Sequence, residues 1–200
     1  MVREIPAVAR ALDVLEYALA EGRVSAGEVT SRLGVPRTTA HELLATLAER
    51  GYLARPAKRA AYTLGPGVGR LGEAWAVRQR LEGEGEPLAK ALAAWYGHEV
   101  AIAVPAGERV RVVACSGAPD GRTEVLCRVL TGTDGVAREI ADEEVRLAAG
   151  VRGAWGPVAA LGLRVPRDCW LRVPPAQWDA RVAAGAARLG RVLTGATAAV

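Results

Sequence analysis

The stretch SAGEVTSRLGVPRTTAHELLATLAERGYLAR, residues 25–55, decides the fold of the first part of this chain. Ser25 followed three residues later by Glu28 forms a capping box, in which each side chain satisfies a backbone N–H left over at a helix start. Val29 and Leu33 give that helix an apolar face, and Gly34 stops it. Pro36 starts a longer helix, where a missing N–H costs nothing. The spacing of Ala40, Leu43 and Leu47 predicts its buried stripe, and Gly51 closes it. A short helix, a tight break and a longer helix make a helix-turn-helix. Such units place the N-terminal part of the second helix in the major groove of DNA. Here that part is Arg37, Thr38, Thr39, His41 and Glu42, with Thr38, His41 and Glu42 opposite the stripe. Their short or forked polar ends suit base edges and phosphates.

Upstream, Val8, Leu12, Leu15 and Leu19 recur at helical spacing and predict a first helix ending at Gly22. Downstream, YLARPAKRAAYTLG (residues 52–65) reads as two short strands, Tyr52 to Arg55 and Ala60 to Leu64, around a turn at Pro56 to Arg59. A hairpin in that place is a wing. Arg55, Lys58 and Arg59 put three cations at its tip, where phosphates or the adjacent minor groove lie within reach.

Charge supports the same division. The chain of 200 residues carries a net charge of +4, and the whole excess falls in residues 1–80. A basic module joined to a neutral one points to a polyanionic partner for the first part only. Half of the residues are hydrophobic and 24% are charged, which excludes a disordered chain. No apolar run is long enough to span a membrane, and the start MVREIPAVAR lacks the pattern of a secretory signal. The expected place is therefore the cytoplasm, with the nucleoid. Cys115, Cys127 and Cys169 fit neither a disulfide framework nor a zinc knuckle and read as small buried hydrophobes.

From Ala7 to Glu73 the chain resembles the DNA-binding half of the IclR family of bacterial transcription regulators. The resemblance rests on RALDVLEYALAEG, on SAGEVTSRLGVPRTTAHELLATLAERGYLAR and on YTLGPGVGRLG, and LGVPRTTAHELLATLAERGYL is its most specific part. Glu42 departs from the family, which more often has a basic or neutral residue there. Val68, Leu71, Trp75 and Arg78 begin a further helix. In regulators of this kind that linker helix packs against its copy, so the resemblance implies a homodimer touching at Leu71 and Trp75, with further pairing into a tetramer through the second domain.

LEGEGEP (residues 81–87) is acidic and glycine-rich and reads as a domain boundary near residue 82. Beyond it, Leu88, Leu92 and Trp95 predict a helix ended by Gly97. Two strands follow, Glu99 to Val104 and Arg109 to Cys115, about a turn at Pro105 to Glu108. This resembles the start of the IclR effector domain, a GAF-like mixed α/β fold. ADEEVRLAAGVRGAWGPVAALGLRVP matches the family's acidic run and two apolar strands, with Asp142, Glu143 and Glu144 read as a solvated helix start. Trp178, Val182, Leu189 and Leu193 predict a closing helix before Gly195. Between Gly117 and Glu139 the chain is short and no helix is expected, and Gly153 stands where the family often has a cysteine near its ligand. Cys127, Trp155 and Trp170 are candidate pocket residues that read as core.

The reading is therefore α+β: a winged helix-turn-helix (1–66), a linker helix (67–82) and a shortened effector and assembly domain (83–200). The expected partners are double-stranded operator DNA, a second copy and a small-molecule effector, with no membrane. A DNA-binding dimerisation module that has lost sensing is the alternative. An enzyme is less favoured, because His41 and His98 are the only histidines and sit in no metal-ligand or nucleophile motif. The glycine-rich GPGVGRLG lacks the Lys-Ser/Thr of a phosphate loop. No metal, cofactor or catalytic residue is assigned.

Overall fold

The computed structural model describes residues 4–56, 61–117, 123–132 and 135–195, which fall into two units, Met1–Gly72 and Glu73–Val200. In the first unit, α1 (Pro6–Glu21), α2 (Ala26–Leu33) and α3 (Arg37–Glu49) precede a hairpin of β1 (Leu53–Ala54) and β2 (Thr63–Leu64). The capping box is present: the Ser25 backbone N–H donates to the Glu28 carboxylate at 2.7 Å, and Glu28 N–H donates to Ser25 Oγ at 3.4 Å. Gly34 ends α2 at φ 61, a left-handed conformation that glycine adopts without a Cβ clash. The hairpin pairs Leu53 with Leu64 and Ala54 with Thr63, and Val24 in the α1–α2 connection forms an isolated antiparallel bridge to Tyr62.

Two apolar stripes differ from the expected ones. In α3 the buried residues are Ala40, Leu44 and Leu47, while Leu43 is half-buried on the flank. In α1 the buried residues are Val14 and Ala18, with Ala11 and Leu15 packed beside them. Val8, Leu12 and Leu19 stay more than half exposed. α1 is apolar on more than one side, and the core takes the side whose small residues allow close helix approach.

The helix α4 (Pro66–Tyr96) contains the division between the units. The expected linker and the helix after it are thus one helix, and Leu81–Pro87 lies inside it. Gly65 N–H donates to Tyr52 O, and Gly67 N–H to Gly51 O, both at 2.8 Å. A Cβ on either glycine would strike the backbone of Gly51 or Leu53. The glycines of GPGVG therefore let the start of α4 lie against the base of the wing.

The second unit is built on one antiparallel sheet, ordered β4-β3-β7-β6-β5. Its strands are β3 (Glu99–Ala106), β4 (Arg109–Cys115), β5 (Val136–Ile140), β6 (Glu144–Gly153) and β7 (Gly156–Pro166). On one face, Val77, Leu81, Ala89 and Leu92 of α4 pack with α6 (Arg167–Leu171) and α7 (Pro175–Thr194). Trp178, Val182, Leu189 and Leu193 of α7 are buried as expected, and Trp178 stacks on Trp170 at 6.0 Å. On the other face, α5 (Glu124–Thr131) buries Val125, Leu126, Val129 and Leu130 against Ala103, Ala148 and Ala160.

Three expectations fail here. A helix does lie between Gly117 and Glu139, because EVLCRVLT carries four apolar residues on one face. Asp142 and Glu143 form the β5–β6 turn rather than a helix start, closed by Ala141 N–H donating to Glu144 O at 2.9 Å. The three cysteines are free and half-buried rather than core.

The capping box yields a stability prediction. The Ser25 hydroxyl, and then the Ser25 backbone N–H, hold the Glu28 carboxyl below the usual carboxylate range. That contribution is fully present above the ordinary carboxylate pKa and is lost as pH falls through the lowered one. Ser25→Ala should cost about 1 kcal/mol at neutral pH. The cost should shrink on acidification towards pH 3, followed by circular dichroism during urea unfolding.

Candidate nucleic-acid interface

α3 is fixed by burial of Ala40, Leu44 and Leu47 beneath α1, α2 and the wing. At roughly 100° per residue this turns Thr38, Glu42, Ala45 and Thr46 to the far side. Arg37, Thr38, His41 and Glu42 are exposed, as the sequence predicts, and Thr39 is half-buried. Ala45, Thr46 and Glu49 are also exposed and extend the same face by another turn. The sequence does not single them out, because helix-turn-helix units reach bases with the N-terminal part of the second helix.

Several arginines of this unit are exposed. Arg50 lies just beyond α3, Arg23 before the Val24 bridge, and Arg55 at the end of β1, all exposed. The Arg55 guanidinium stands 5.6 Å over the Tyr62 ring, a cation–π contact that props it up from the wing. Arg32 is occupied in the same way on Tyr17, at 4.5 Å. Lys58 and Arg59 lie outside the described residues.

On α4, Leu71 is 59% and Trp75 67% exposed. Neither side chain is taken up by the apolar core of its own unit.

The second unit holds a cleft of about 340 Å³ between α5 and the sheet. Ala101, Val110, Val112 and Leu126 give it apolar walls. Its charged rim is a row across the strands, in which Glu99 pairs in register with Arg164, Arg164 with Arg146, and Arg146 with Glu139. Arg164 forms ion pairs with Glu99 and with Glu144, and Arg146 with Glu144 and Glu139. The candidate pocket residues are elsewhere: Trp170 is core, Trp155 is exposed at the β6–β7 turn, and Cys127 and Gly153 do not line the cleft. Among the described residues no three His, Cys, Asp or Glu side chains group to hold a metal ion. His98 lies 5.5 Å from the Trp178 ring, and burial, followed by Arg181, pushes its pKa below the usual value.

Residues 7–57 match the model of the IclR helix-turn-helix domain. The chain is 30% identical over 106 residues to the HTH-type transcriptional regulator BhcR of Paracoccus denitrificans, a match covering 53% of this chain and 38% of that relative. Among solved structures, the repressor BlcR of Agobacterium tumefaciens aligns at 16% identity over 95% of this chain and 97% of its own, with a TM-score of 0.47. Pseudomonas aeruginosa HmgR aligns at 18% identity over 95% and 98%, with a TM-score of 0.44. The Thermotoga maritima IclR aligns at 12% identity over 94% and 98%, with a TM-score of 0.43. The capped α2 and the outward-facing α3 thus both lie inside the stretch of residues 7–57 that matches the IclR helix-turn-helix domain.

Proposed function

We propose that this chain is a sequence-specific DNA-binding transcription regulator that acts as a homodimer on two operator half-sites. The observation that carries the reading is the outward face of α3 within the stretch that matches the IclR helix-turn-helix domain, with exposed Arg37 at the start of the helix and exposed Arg50 at its end. Thr38, Thr39, His41 and Glu42 read base edges, Arg37 meets the phosphate backbone, and Arg55, Lys58 and Arg59 hold the wing to it. No enzymatic role is part of this reading. Among the described residues no helix is long and apolar enough to cross a membrane.

What supports the dimer is the exposure of Leu71 and Trp75, large apolar groups set one helical turn apart. One winged helix buries too little surface for tight specific binding, and a pair joined through α4 reads two half-sites at once. Pairing of dimers into a tetramer through residues 83–200 is the assembly we assign to the second domain.

A second reading concerns the cleft. Its volume lies in the range of small-molecule sites, and apolar walls beside a polar rim suit an amphipathic effector. We assign it as the sensing site. An assembly domain without sensing predicts no thermal shift with any small molecule.

Binding to operator DNA should weaken steeply with salt. A dimer making about 6–10 phosphate contacts loses roughly 10³–10⁵ in affinity between 50 and 200 mM salt. Fluorescence anisotropy across that range checks this, and a flat response refutes DNA binding. Thr38→Ala and His41→Ala should each cost about 1–3 kcal/mol on the specific operator where a base contact is lost. Random DNA should be bound as by the parent, and equal losses on both would place base reading elsewhere. Trp75→Ala should turn the dimer into monomer in light scattering at micromolar concentration. It should weaken operator binding by roughly 2 kcal/mol or more, as the loss of an interface anchor does.

A further inference from the structure

The tip of the β6–β7 hairpin holds a side chain from α4. Ala154 N–H donates to Glu73 Oε1 at 2.8 Å, and Trp155 N–H donates to Glu73 Oε2 at 3.2 Å. Two successive backbone amides of a tight turn thus converge on one carboxylate. Such neighbouring amides form an anion-binding concavity, and bonds to an ionised acceptor are the stronger kind. Gly153 pairs with Gly156 to close the turn. A Cβ on Gly153 would occupy the place of the Glu73 carboxyl group. Glycine at 153 is therefore a requirement of the carboxylate.

What the clasp holds is otherwise loosely held. Glu73 is the first residue of its unit, and the next three, Ala74, Trp75 and Ala76, are exposed. The helix next touches the sheet side at Val77, which is buried, and at Arg78, whose guanidinium donates to Pro105 O at 2.7 Å. The hairpin is also the far end of the two strands that carry Arg146 and Arg164 into the cleft. From Arg146 to Gly153 is about 23 Å along an extended strand. The hold on Glu73 and the occupancy of the cleft therefore act on the same pair of strands.

We propose that Glu73 and the Gly153–Trp155 turn form a latch that fixes the Glu73 end of α4 on the sheet, and that its release alters operator affinity. Glu73 is a positioning residue. It touches neither DNA nor effector and acts through the helix that carries Trp75. The part of the proposal that concerns operator affinity rests on the DNA-binding function above, and the part that concerns the helix does not.

The test uses the full chain and its variants Glu73→Ala, Glu73→Gln, Gly153→Ala and the double variant Glu73→Ala with Gly153→Ala. Hydrogen exchange followed by mass spectrometry reads α4 directly. Each single variant should speed exchange of the amides from Glu73 to Arg80 by roughly tenfold or more, with α7 protected as in the parent. Glu73→Gln keeps one acceptor oxygen and should fall between parent and Glu73→Ala. The double variant should exchange like Glu73→Ala alone, because Gly153→Ala acts only by displacing the carboxylate. Anisotropy on operator DNA should show the same ranking of affinities. Unchanged exchange at residues 73–80, loss of protection across α7 as well, or effects that multiply in the double variant would each overturn the latch. Faster exchange with parental operator affinity would overturn its regulatory part. A parent that binds no operator refutes the DNA-binding function, and the exchange data still decide the latch.

Discussion

Burial of Ala40, Leu44 and Leu47 is the constraint on which the first unit depends. These three side chains leave less than a tenth of their surface exposed, and they fix the rotation of α3 about its axis. A helix is a rigid presenter: once one stripe is committed to the core, every other residue has a set direction. Slipping the stripe by a single residue would turn the outward face by roughly 100°. The left-handed Gly34 and the capped start of α2 supply the rest, because they set how α2 crosses α3 and how that stripe meets its partners. The face of Thr38, Glu42, Ala45 and Thr46 is the consequence of packing behind it.

How much of this was legible in the sequence varies with the kind of signal. The capping box, the left-handed glycine and the hairpin are local, and each rests on a few neighbouring residues whose chemistry allows little else. The choice between Leu43 and Leu44 is not local. With Ala40 and Leu47, either leucine completes a helical stripe, and only the positions of α1, α2 and Leu53 decide which one is enclosed. The same holds for α1. Its larger residues Val8, Leu12 and Leu19 make the more conspicuous stripe, yet the core encloses Val14 and Ala18, where two helices approach closely.

In the second unit the misreadings have physical causes of the same kind. LEGEGEP has the composition of a linker, yet Leu81, Gly85 and Ala89 stand four residues apart and face the sheet together. Its charges help the helix, since Arg80 pairs with Glu84 and Lys90 with Glu86 at the spacing of one turn. Pro87 removes one helical hydrogen bond, the one to the Gly83 carbonyl, and both residues are exposed so that water replaces it. The helix α5 is only 8 residues long, and a short apolar run gives no reliable period. What identifies it as a helix is the sheet face of Ala103, Ala148 and Ala160, small residues drawn from three separate strands that leave space for it.

The distribution of charge about α3 bears on how such a module would divide its work. The outward face carries Glu42 and Glu49 with no arginine between them, so it adds little to attraction for a phosphate backbone. The exposed cations lie elsewhere, at Arg37 on the entry to the helix and Arg50 at its exit, and at Arg23 before the Val24 bridge and Arg55 after β1. Attraction to a polyanion is long-ranged and tolerant of position, while base reading needs short side chains at set places. In the DNA-binding function proposed here, the arginines therefore supply affinity and the helix face supplies discrimination. Glu42 belongs to the second group: near phosphate a carboxylate is repelled, and against a cytosine amino group it accepts a hydrogen bond. An acid at that place lowers binding to DNA in general more than binding to a site that offers the matching base, and so it trades affinity for selectivity.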